Sequence, residues 1–130
     1  MATISTGILF DSNTFNLKEI SLNDVRKEVE GLLVPGEQMI SAFQTIRDQV
    51  VFTTKRLIVV NVKGITGKKV AYFTYPYSKV QYFGIETAGL MDIDCELLLA
   101  FNDGNMLTLD FKSNVDIRKL SNVIAGYVLG

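Results

Sequence analysis

Histidine and tryptophan are absent from the 130-residue sequence, and cysteine occurs once, as Cys95. Histidine is the commonest general base at neutral pH and the commonest zinc ligand in proteins, and one cysteine cannot replace it. Serine–histidine catalysis, cysteine–histidine catalysis and structural zinc are therefore excluded, and we expect no cofactor or metal. Cys95 has no partner for an internal disulfide, and its alternation with Ile93 and Leu97 indicates a strand residue that faces the core.

Long apolar runs are also missing. The longest are short, as in residues 97–101, and fall far below the roughly 20 residues of a membrane-spanning helix. The sequence opens without a basic segment before an apolar stretch, so no secretory signal is predicted and we expect a cytoplasmic protein. With 48% apolar residues, the chain can bury one core, which predicts a single domain over residues 18–130 after an arm at residues 1–17.

Charge is nearly balanced overall, at a net −1, but it is unevenly distributed along the chain. Residues 49–79 contain six basic residues and no acidic ones, whereas the remainder contains seven basic and fourteen acidic residues. A segment of +6 beside a remainder of −7 predicts attraction to an anionic partner, or between the basic end of one copy and the acidic end of another. The overall acidity and the lack of a recognisable motif argue against nucleic-acid binding.

The residues after the arm follow a helical pattern. Ser21 and Asp24 form a start that resembles a capping box, and Pro35-Gly36 ends the segment. Apolar residues recur on one face between these points, at Leu22, Val25, Val29, Leu32 and Leu33. The spacing predicts a helix over residues 21–33.

Residues 37–111 change to short runs rich in Val, Ile, Tyr, Phe and Thr, separated by turn residues. This pattern is typical of a meandering antiparallel sheet. The strongest turn signal is Asp103-Gly104, which suits a two-residue hairpin. We predict seven strands, at residues 38–47, 50–54, 56–63, 68–75, 78–87, 93–101 and 106–111.

A second helix is predicted after the last strand. Ser113 and Asp116 can form a capping box at its start. An apolar stripe then recurs at helical spacing, at Ile117, Leu120, Val123, Ile124, Tyr127 and Val128. Because this stripe is too wide to leave in water, we expect the helix to close the open end of two packed sheets. The predicted fold class is mainly β with flanking helices.

Several short motifs occur in a particular order: Phe52-Thr53-Thr54-Lys55-Arg56-Leu57, Gly64-Ile65-Thr66-Gly67-Lys68-Lys69, Tyr75-Pro76-Tyr77-Ser78-Lys79, Glu86-Thr87-Ala88-Gly89, and an acidic run at residues 92–97. Their order and spacing resemble the bacterial pleckstrin-homology-like family, first described as a domain of unknown function. The resemblance covers about residues 35–128. It implies a pleckstrin-homology-like, seven-stranded two-sheet barrel capped by a C-terminal helix. It also implies no assigned catalytic activity and a tendency to form ring-like homo-oligomers.

A candidate binding cluster comprises Lys55, Arg56, Lys68 and Lys69, because the strands that carry them are predicted to pair in one hairpin. The cluster could bind an anion or an acidic partner, or it could be a solvated edge that discourages unwanted strand pairing.

In eukaryotic pleckstrin-homology domains, phosphoinositides bind basic residues around the first hairpin. Residues 44–51 carry one basic and one acidic residue, a departure that argues against high-affinity phosphoinositide binding.

Asp92, Asp94 and Glu96 alternate along one predicted strand, so their carboxylates project from one face. Such a row could be solvated, could pair with lysines across strands or subunits, or could bind a hard cation. Adjacent members of the row lie roughly 7 Å apart, too far to share a proton as catalytic acids do. We favour the solvated or interface role and predict no catalytic residue.

Three predicted strands are apolar on both faces, around residues 57–60, 70–75 and 97–101, whereas a sheet wetted on one side should alternate. Either the arm and first helix or another subunit must cover the second face. Tyrosines suit an interface with one wet edge, and Tyr77 is one candidate among several. The predicted core residues are Phe43, Leu57, Val59, Leu107, Leu109 and Phe111.

These observations predict a cytoplasmic, non-enzymatic module that self-associates into a ring of more than two subunits and presents a surface for a protein or peptide. The alternative is a peripheral membrane adaptor that binds anionic lipid through the basic cluster. The predicted oligomer interface comprises Tyr72, Tyr75, Tyr82, Asp92, Asp94 and Glu96.

Overall fold

A computed structural model of the chain describes residues 17–87, 95–112 and 115–130. Eight strands lie in this part of the chain and form two antiparallel sheets. The first sheet has the order β1 (Lys18–Ile20), β2 (Met39–Gln44), β3 (Gln49–Thr53), β4 (Arg56–Lys63) and β5 (Lys69–Pro76). The second has the order β6 (Val80–Thr87), β7 (Cys95–Phe101) and β8 (Met106–Phe111). The seven predicted strands are confirmed, and β1 is an additional one.

The two sheets pack face to face around one apolar core. All six predicted core residues are buried there. The centre is aromatic, because the ring of Phe43 lies 4.6 Å from that of Phe111 and 5.8 Å from that of Phe52, between ring centroids. Cys95 is half-buried and packs against this core, as its position in the strand pattern predicts.

The second predicted helix is confirmed as a twelve-residue α-helix that closes one end of the sheets. It is α2 (Ile117–Val128), and its Leu120 and Ile124 are buried in the core between the sheets. The Asp116 side chain caps the helix by accepting a hydrogen bond from the backbone nitrogen of Lys119 at 3.1 Å. Ser113, the other half of the predicted capping box, lies outside the described residues.

The first predicted helix, residues 21–33, is shorter than predicted. A 3-10 turn (Leu22–Asp24) and α1 (Lys27–Glu30) replace it, and Val25 and Arg26 between them have extended backbone. The Gln49 side chain explains the break: its amide nitrogen donates to the carbonyl of Asp24 and its amide oxygen accepts from the backbone nitrogen of Arg26, both at 3.0 Å. Tertiary hydrogen bonds thus override the helical spacing.

The segment around these short helices covers the outer face of the five-stranded sheet. Val25 and Val29 form a second apolar cluster with four sheet residues, Ala42, Val51, Ile58 and Val60. Ile20 and Leu33 pack against the same cluster. The second apolar face of β3 and β4 is therefore covered by the N-terminal segment of the same chain.

The N-terminal segment also closes one corner between the sheets. β1 pairs with β2, and Leu17 forms a parallel bridge to Phe111 in β8. The Leu17 nitrogen donates to the Asp110 carbonyl at 3.3 Å, and the Lys112 nitrogen donates to the Leu17 carbonyl at 2.8 Å. This pairing links the two sheets where β8 ends, at Phe111.

Candidate functional site

The candidate basic cluster is split by the register of the β4–β5 hairpin. Arg56 pairs with Pro76 at one end of the ladder, and Lys63 pairs with Lys69 at the other. The seven residue steps between these pairs correspond to about 24 Å at ~3.4 Å per residue. The prediction that Lys55 and Arg56 meet Lys68 and Lys69 in one cluster is therefore wrong, because a long hairpin joins only its facing residues.

At the first end, Arg56 is held in a buried ion pair with Glu37. The Arg56 Nε and Nη2 atoms donate to the two oxygens of the Glu37 carboxylate at 2.9 and 3.0 Å. The Glu37 side chain is fully buried and that of Arg56 is 16% exposed. The guanidinium also donates to the hydroxyl of Thr74 and the carbonyl of Leu32. Arg56 thus joins three segments of the chain and has little capacity left for an external anion.

Thr53, from the motif at residues 52–57, lies beside this ion pair and links it to the turn between β3 and β4. Its hydroxyl donates to Glu37 at 2.5 Å and accepts from the backbone nitrogens of Lys55 and Arg56 at 3.0 Å each. The carbonyl of Thr53 accepts from the hydroxyl of Tyr77 at 2.8 Å. The turn between β3 and β4 is therefore a structural polar centre, and Arg56, a candidate for binding or for a solvated edge, belongs to it.

The electrostatics of this centre favour the ionised carboxylate. Burial raises the pKa of Glu37, but hydrogen bonds from Arg56, Thr53 and the Val34 nitrogen, with the positive charge of Arg56, outweigh it and hold the pKa below its ordinary value. Burial raises the pKa of the Tyr77 hydroxyl, so Tyr77 remains a neutral donor. Tyr77 is fully buried, and its assignment to an interface is wrong because its hydroxyl is needed inside the fold.

Lys55 differs from Arg56 because its side chain is exposed. It lies at a shallow hollow of about 330 Å³ that is lined by Val34, Glu37, Lys55, Arg56, Pro76, Ser78 and Tyr127. Apolar walls with one free ammonium group can receive a short apolar segment that carries an acidic group. Lys55 is thus the part of the predicted basic cluster that remains available at this end.

At the far end of the hairpin, the structure gathers a different basic group, which we call the basic hairpin tip (residues 63–69). Lys63, Lys68 and Lys69 are exposed there, and Ile65 at its apex has full exposure. Gly64 and Gly67 have φ angles of 78° and 68°, values that a non-glycine residue adopts only with strain. Neither ion pair found in the described part of the chain involves these lysines.

Arg47, in the turn between β2 and β3, braces the basic hairpin tip. Its Nη2 atom donates to the carbonyl of Gly64. Its neighbour Asp48 is buried, and one carboxylate oxygen accepts from the Asn61 amide at 3.1 Å and the Val62 nitrogen at 2.8 Å. Both charged residues of the predicted first hairpin therefore have structural contacts, and the argument against a high-affinity phosphoinositide site stays a prediction.

Carboxylates line up across the second sheet. Glu86 of β6 pairs with Glu96 of β7, which pairs with Asp110 of β8. A hydrogen bond with Asp110, partial burial, and the negative charges of Asp110 and Glu86 raise the pKa of Glu96. Of the predicted acidic row, only Glu96 is described, because Asp92 and Asp94 lie outside the described residues.

The same sheet face carries exposed apolar residues beyond the acidic row. Tyr82 pairs with Ala100, which pairs with Met106, and the side chains of Tyr82 and Met106 are 51% and 56% exposed. Gly84, Leu98 and Thr108 form the row between. Ala100 itself is buried, at 3% exposure, and Leu98 is half-buried, although neither they nor Tyr82 and Met106 belong to either core cluster of the described chain. We call this surface the open face; it comprises Tyr82, Gly84, Glu86, Glu96, Leu98, Ala100, Met106, Thr108 and Asp110.

The remaining predicted interface tyrosines are half-buried within the subunit. Tyr72 packs against the cluster under the N-terminal segment. Tyr75 lies on the opposite face of β5, with its ring centroid 5.4 Å from that of Phe101. Of the six predicted interface residues, the structure thus places Tyr82 and Glu96 on one sheet face, two cross-strand rows apart. The sequence analysis missed Glu86 and Asp110, because their positions opposite Glu96 depend on the registers of two strand pairs.

Within residues 17–87, 95–112 and 115–130, no three acidic or cysteine side chains are arranged to hold a metal ion. No helix in these ranges is long and apolar enough to cross a membrane.

Two antiparallel sheets around one core, closed at one end by a C-terminal helix, define a pleckstrin-homology-like fold. The family model described as "Bacterial PH domain" matches residues 8–128. The chain therefore belongs to the bacterial pleckstrin-homology domain family, which confirms the resemblance seen in its motifs.

Relatives support the same assignment. The uncharacterized protein YjqA of Bacillus subtilis is 37% identical over 112 residues, which cover 85% of this chain and 90% of that protein. The crystal structure of a DUF1696 family protein with a pleckstrin-homology domain from Shewanella loihica is 36% identical, with a TM-score of 0.72, covering 87% of this chain and 97% of that one. A pleckstrin-homology domain from Shewanella amazonensis is 37% identical, with a TM-score of 0.60 and coverages of 87% and 92%.

Proposed function

We propose that this chain is a non-enzymatic module of the cytoplasm that assembles head to tail with copies of itself into a ring-like homo-oligomer of more than two subunits. The assembled ring presents a surface to a protein or peptide. Family membership supports a binding module, but a shared fold alone does not name the ligand. The proposal therefore depends on the surfaces of this chain.

The proposal depends on two rows of like charges that face one another across strands, one basic and one acidic. Lys63 faces Lys69 at the basic hairpin tip, and Glu86, Glu96 and Asp110 face one another on the open face. Like charges directly opposite on neighbouring strands destabilise a sheet. Contact between the basic row of one copy and the acidic row of the next would relieve both repulsions.

The two rows lie on different sheets, which determines the type of assembly they support. A contact between two different patches is heterologous, and repetition of a heterologous contact forms a closed ring when the rotation per step divides a full turn. Charge complementarity of this kind orients subunits and speeds their association.

Light scattering at moderate salt tests this proposal. We expect the wild-type protein to have a discrete mass of three or more subunits. Charge reversal of Lys68→Glu with Lys69→Glu should slow assembly more than it weakens the assembled state, because steering acts mainly on the association rate. The control, Lys27→Glu with Lys119→Glu, changes charge equally at exposed positions in other elements and should assemble at the wild-type rate. A monomeric wild-type protein at every concentration would contradict the proposal.

The hollow around Lys55 is the proposed site for a protein or peptide on each subunit. Its apolar wall and exposed ammonium group support an acidic, partly apolar peptide segment as the ligand. Lys55→Ala should weaken the binding of such peptides without a change of oligomeric mass, as measured by fluorescence anisotropy of a labelled peptide library.

A second candidate function is that of a peripheral membrane adaptor. One observation favours it: fully exposed Ile65 lies among exposed lysines, and peripheral proteins bind anionic membranes through both kinds of residue. Cosedimentation with vesicles that contain or lack anionic lipid separates the candidates. An adaptor should pellet only with anionic vesicles and should be released as salt rises, whereas the proposed assembly module should remain in solution.

A further inference from the structure

Ile65 occupies a position that the fold of one subunit does not explain. It is completely exposed at the apex of the basic hairpin tip, whereas the other residues of the turn are polar or glycine. The positive φ angles that form the turn belong to Gly64 and Gly67, so the turn does not require an apolar residue between them. An isoleucine that contributes nothing to its own fold is available for contact with another molecule.

The open face offers a surface of matching chemistry. Its three cross-strand rows run from apolar (Tyr82, Ala100, Met106) through mixed (Gly84, Leu98, Thr108) to acidic (Glu86, Glu96, Asp110). Neighbouring rows are two residues apart along each strand, or ~7 Å. An apolar group on the first two rows thus has carboxylates within about 7 to 14 Å on one side.

The basic hairpin tip has the same order of chemistry at a similar spacing. Lys63 and Lys69 form the pair that closes the ladder directly below the turn, and Ile65 is two residues beyond Lys63. If Ile65 contacts Leu98, the lysines can reach the acidic row next to it. The apolar and charged parts of the two surfaces therefore coincide in one orientation.

We propose that Ile65 of one subunit inserts among Tyr82, Leu98 and Met106 on the open face of the next subunit. Lys63, Lys68 and Lys69 then pair with Glu86, Glu96 and Asp110 of that neighbour. This inference rests on the proposed head-to-tail assembly and names its contact. The occupant of the open face is a second copy, because the chain itself carries both complementary surfaces, on separate sheets.

The size of the contact predicts its strength. A single hairpin tip covers less than the ~800 Å² per partner of a standard interface. We therefore expect reversible assembly in which dilution releases subunits. Loss of one well-placed isoleucine contact should weaken association by about tenfold or more.

Complementary variants test the inference. The tip variant is Ile65→Ser with Lys68→Glu and Lys69→Glu; the face variant is Tyr82→Ser with Met106→Ser. All these side chains are exposed, so each variant should melt like the wild type. We expect each variant alone to sediment as a monomer. A mixture should form a one-to-one dimer that does not grow, because it has one intact tip and one intact face. Leu129→Ser, at an 82% exposed position beyond α2, is the control and should assemble like the wild type.

The outcomes distinguish this inference from the proposed function. If both variants keep the wild-type oligomeric mass, the assigned contact is wrong while assembly itself stands. If folded tip and face variants are monomeric but their mixture forms no dimer, the pairing of tip with face is wrong. If the wild type is always monomeric, the proposed function fails as well. Pelleting of the wild type, but not of Ile65→Ser, with anionic vesicles would assign the tip to a membrane and overturn the inference.

Discussion

The buried ion pair between Glu37 and Arg56 allows a sharp prediction about stability. Glu37→Ala removes the carboxylate that accepts two hydrogen bonds from the guanidinium, at 2.9 and 3.0 Å, and one from Thr53 at 2.5 Å. The Arg56 side chain is 16% exposed, so its charge would remain largely buried without a counter-ion. Removing one partner of a buried pair typically costs about 3–5 kcal/mol, a large share of the ~5–15 kcal/mol that stabilises a domain.

Urea denaturation followed by circular dichroism measures this cost. The matched control is Glu28→Ala, because Glu28 forms a longer ion pair with Arg26, at 3.8 Å, and its side chain is 65% exposed. An exposed pair of this kind contributes about 0–1 kcal/mol, so the control should unfold close to the wild-type midpoint. Equal midpoints for the wild type, Glu37→Ala and Glu28→Ala would refute the structural role of the pair.

The same pair predicts how stability depends on pH. Because the pKa of Glu37 is lowered in the folded state, the unfolded chain binds the proton more readily. The stabilisation is therefore fully present above the ordinary glutamate pKa of about 4.3, and it is lost as the pH falls through the lowered folded pKa. As the pH falls from about 4.3 through the lowered pKa, the free energy of unfolding of Glu37→Gln should decrease less than that of the wild type. An identical slope for both proteins would contradict the assigned ionisation.

Three further predictions follow from the core, the closing helix and the acidic row. Leu120→Ala should lower the free energy of unfolding in urea by about 2–5 kcal/mol, because Leu120 is buried, and a loss below ~0.5 kcal/mol would place it on the surface. Truncation after Ser113 should abolish cooperative thermal unfolding, since it removes α2, and an unchanged melting curve would contradict the role of the helix. Glu96→Gln should raise the free energy of unfolding by about 0.2–1 kcal/mol at neutral pH by relieving repulsion from Glu86 and Asp110. That gain should shrink as the pH falls through the raised pKa of Glu96, and pH-independent unfolding differences would argue against the repulsion.

The sequence predicts the parts of the fold that depend on local pattern. Short runs rich in Val, Ile, Tyr, Phe and Thr between turn residues locate the seven strands, and the apolar stripe from residue 117 to 128 locates α2. The helix over residues 21–33 fails for the opposite reason. Its break depends on the distant Gln49, whose side chain bonds to the Asp24 carbonyl and the Arg26 nitrogen. No local pattern contains that information.

The candidate site was harder to predict because it depends on register. The predicted strands at residues 56–63 and 68–75 already place Lys68 beside residue 63, and the observed eight-residue ladder separates it from Lys55. The open face depends on two registers at once, those that align Glu86 with Glu96 and Glu96 with Asp110. The uneven distribution of charge is read from the sequence, but only the strand pairing shows which charges meet. The ion pair of Arg56 could not be read from a local pattern, because its partner Glu37 lies nineteen residues away.

Sedimentation velocity of the wild-type protein over a wide range of concentration tests the central claim most directly. The proposed head-to-tail assembly predicts a discrete species of three or more subunits at moderate salt that releases monomers on dilution. A single species with the mass of one chain at every concentration, in dilute buffer as well as in moderate salt, would contradict it.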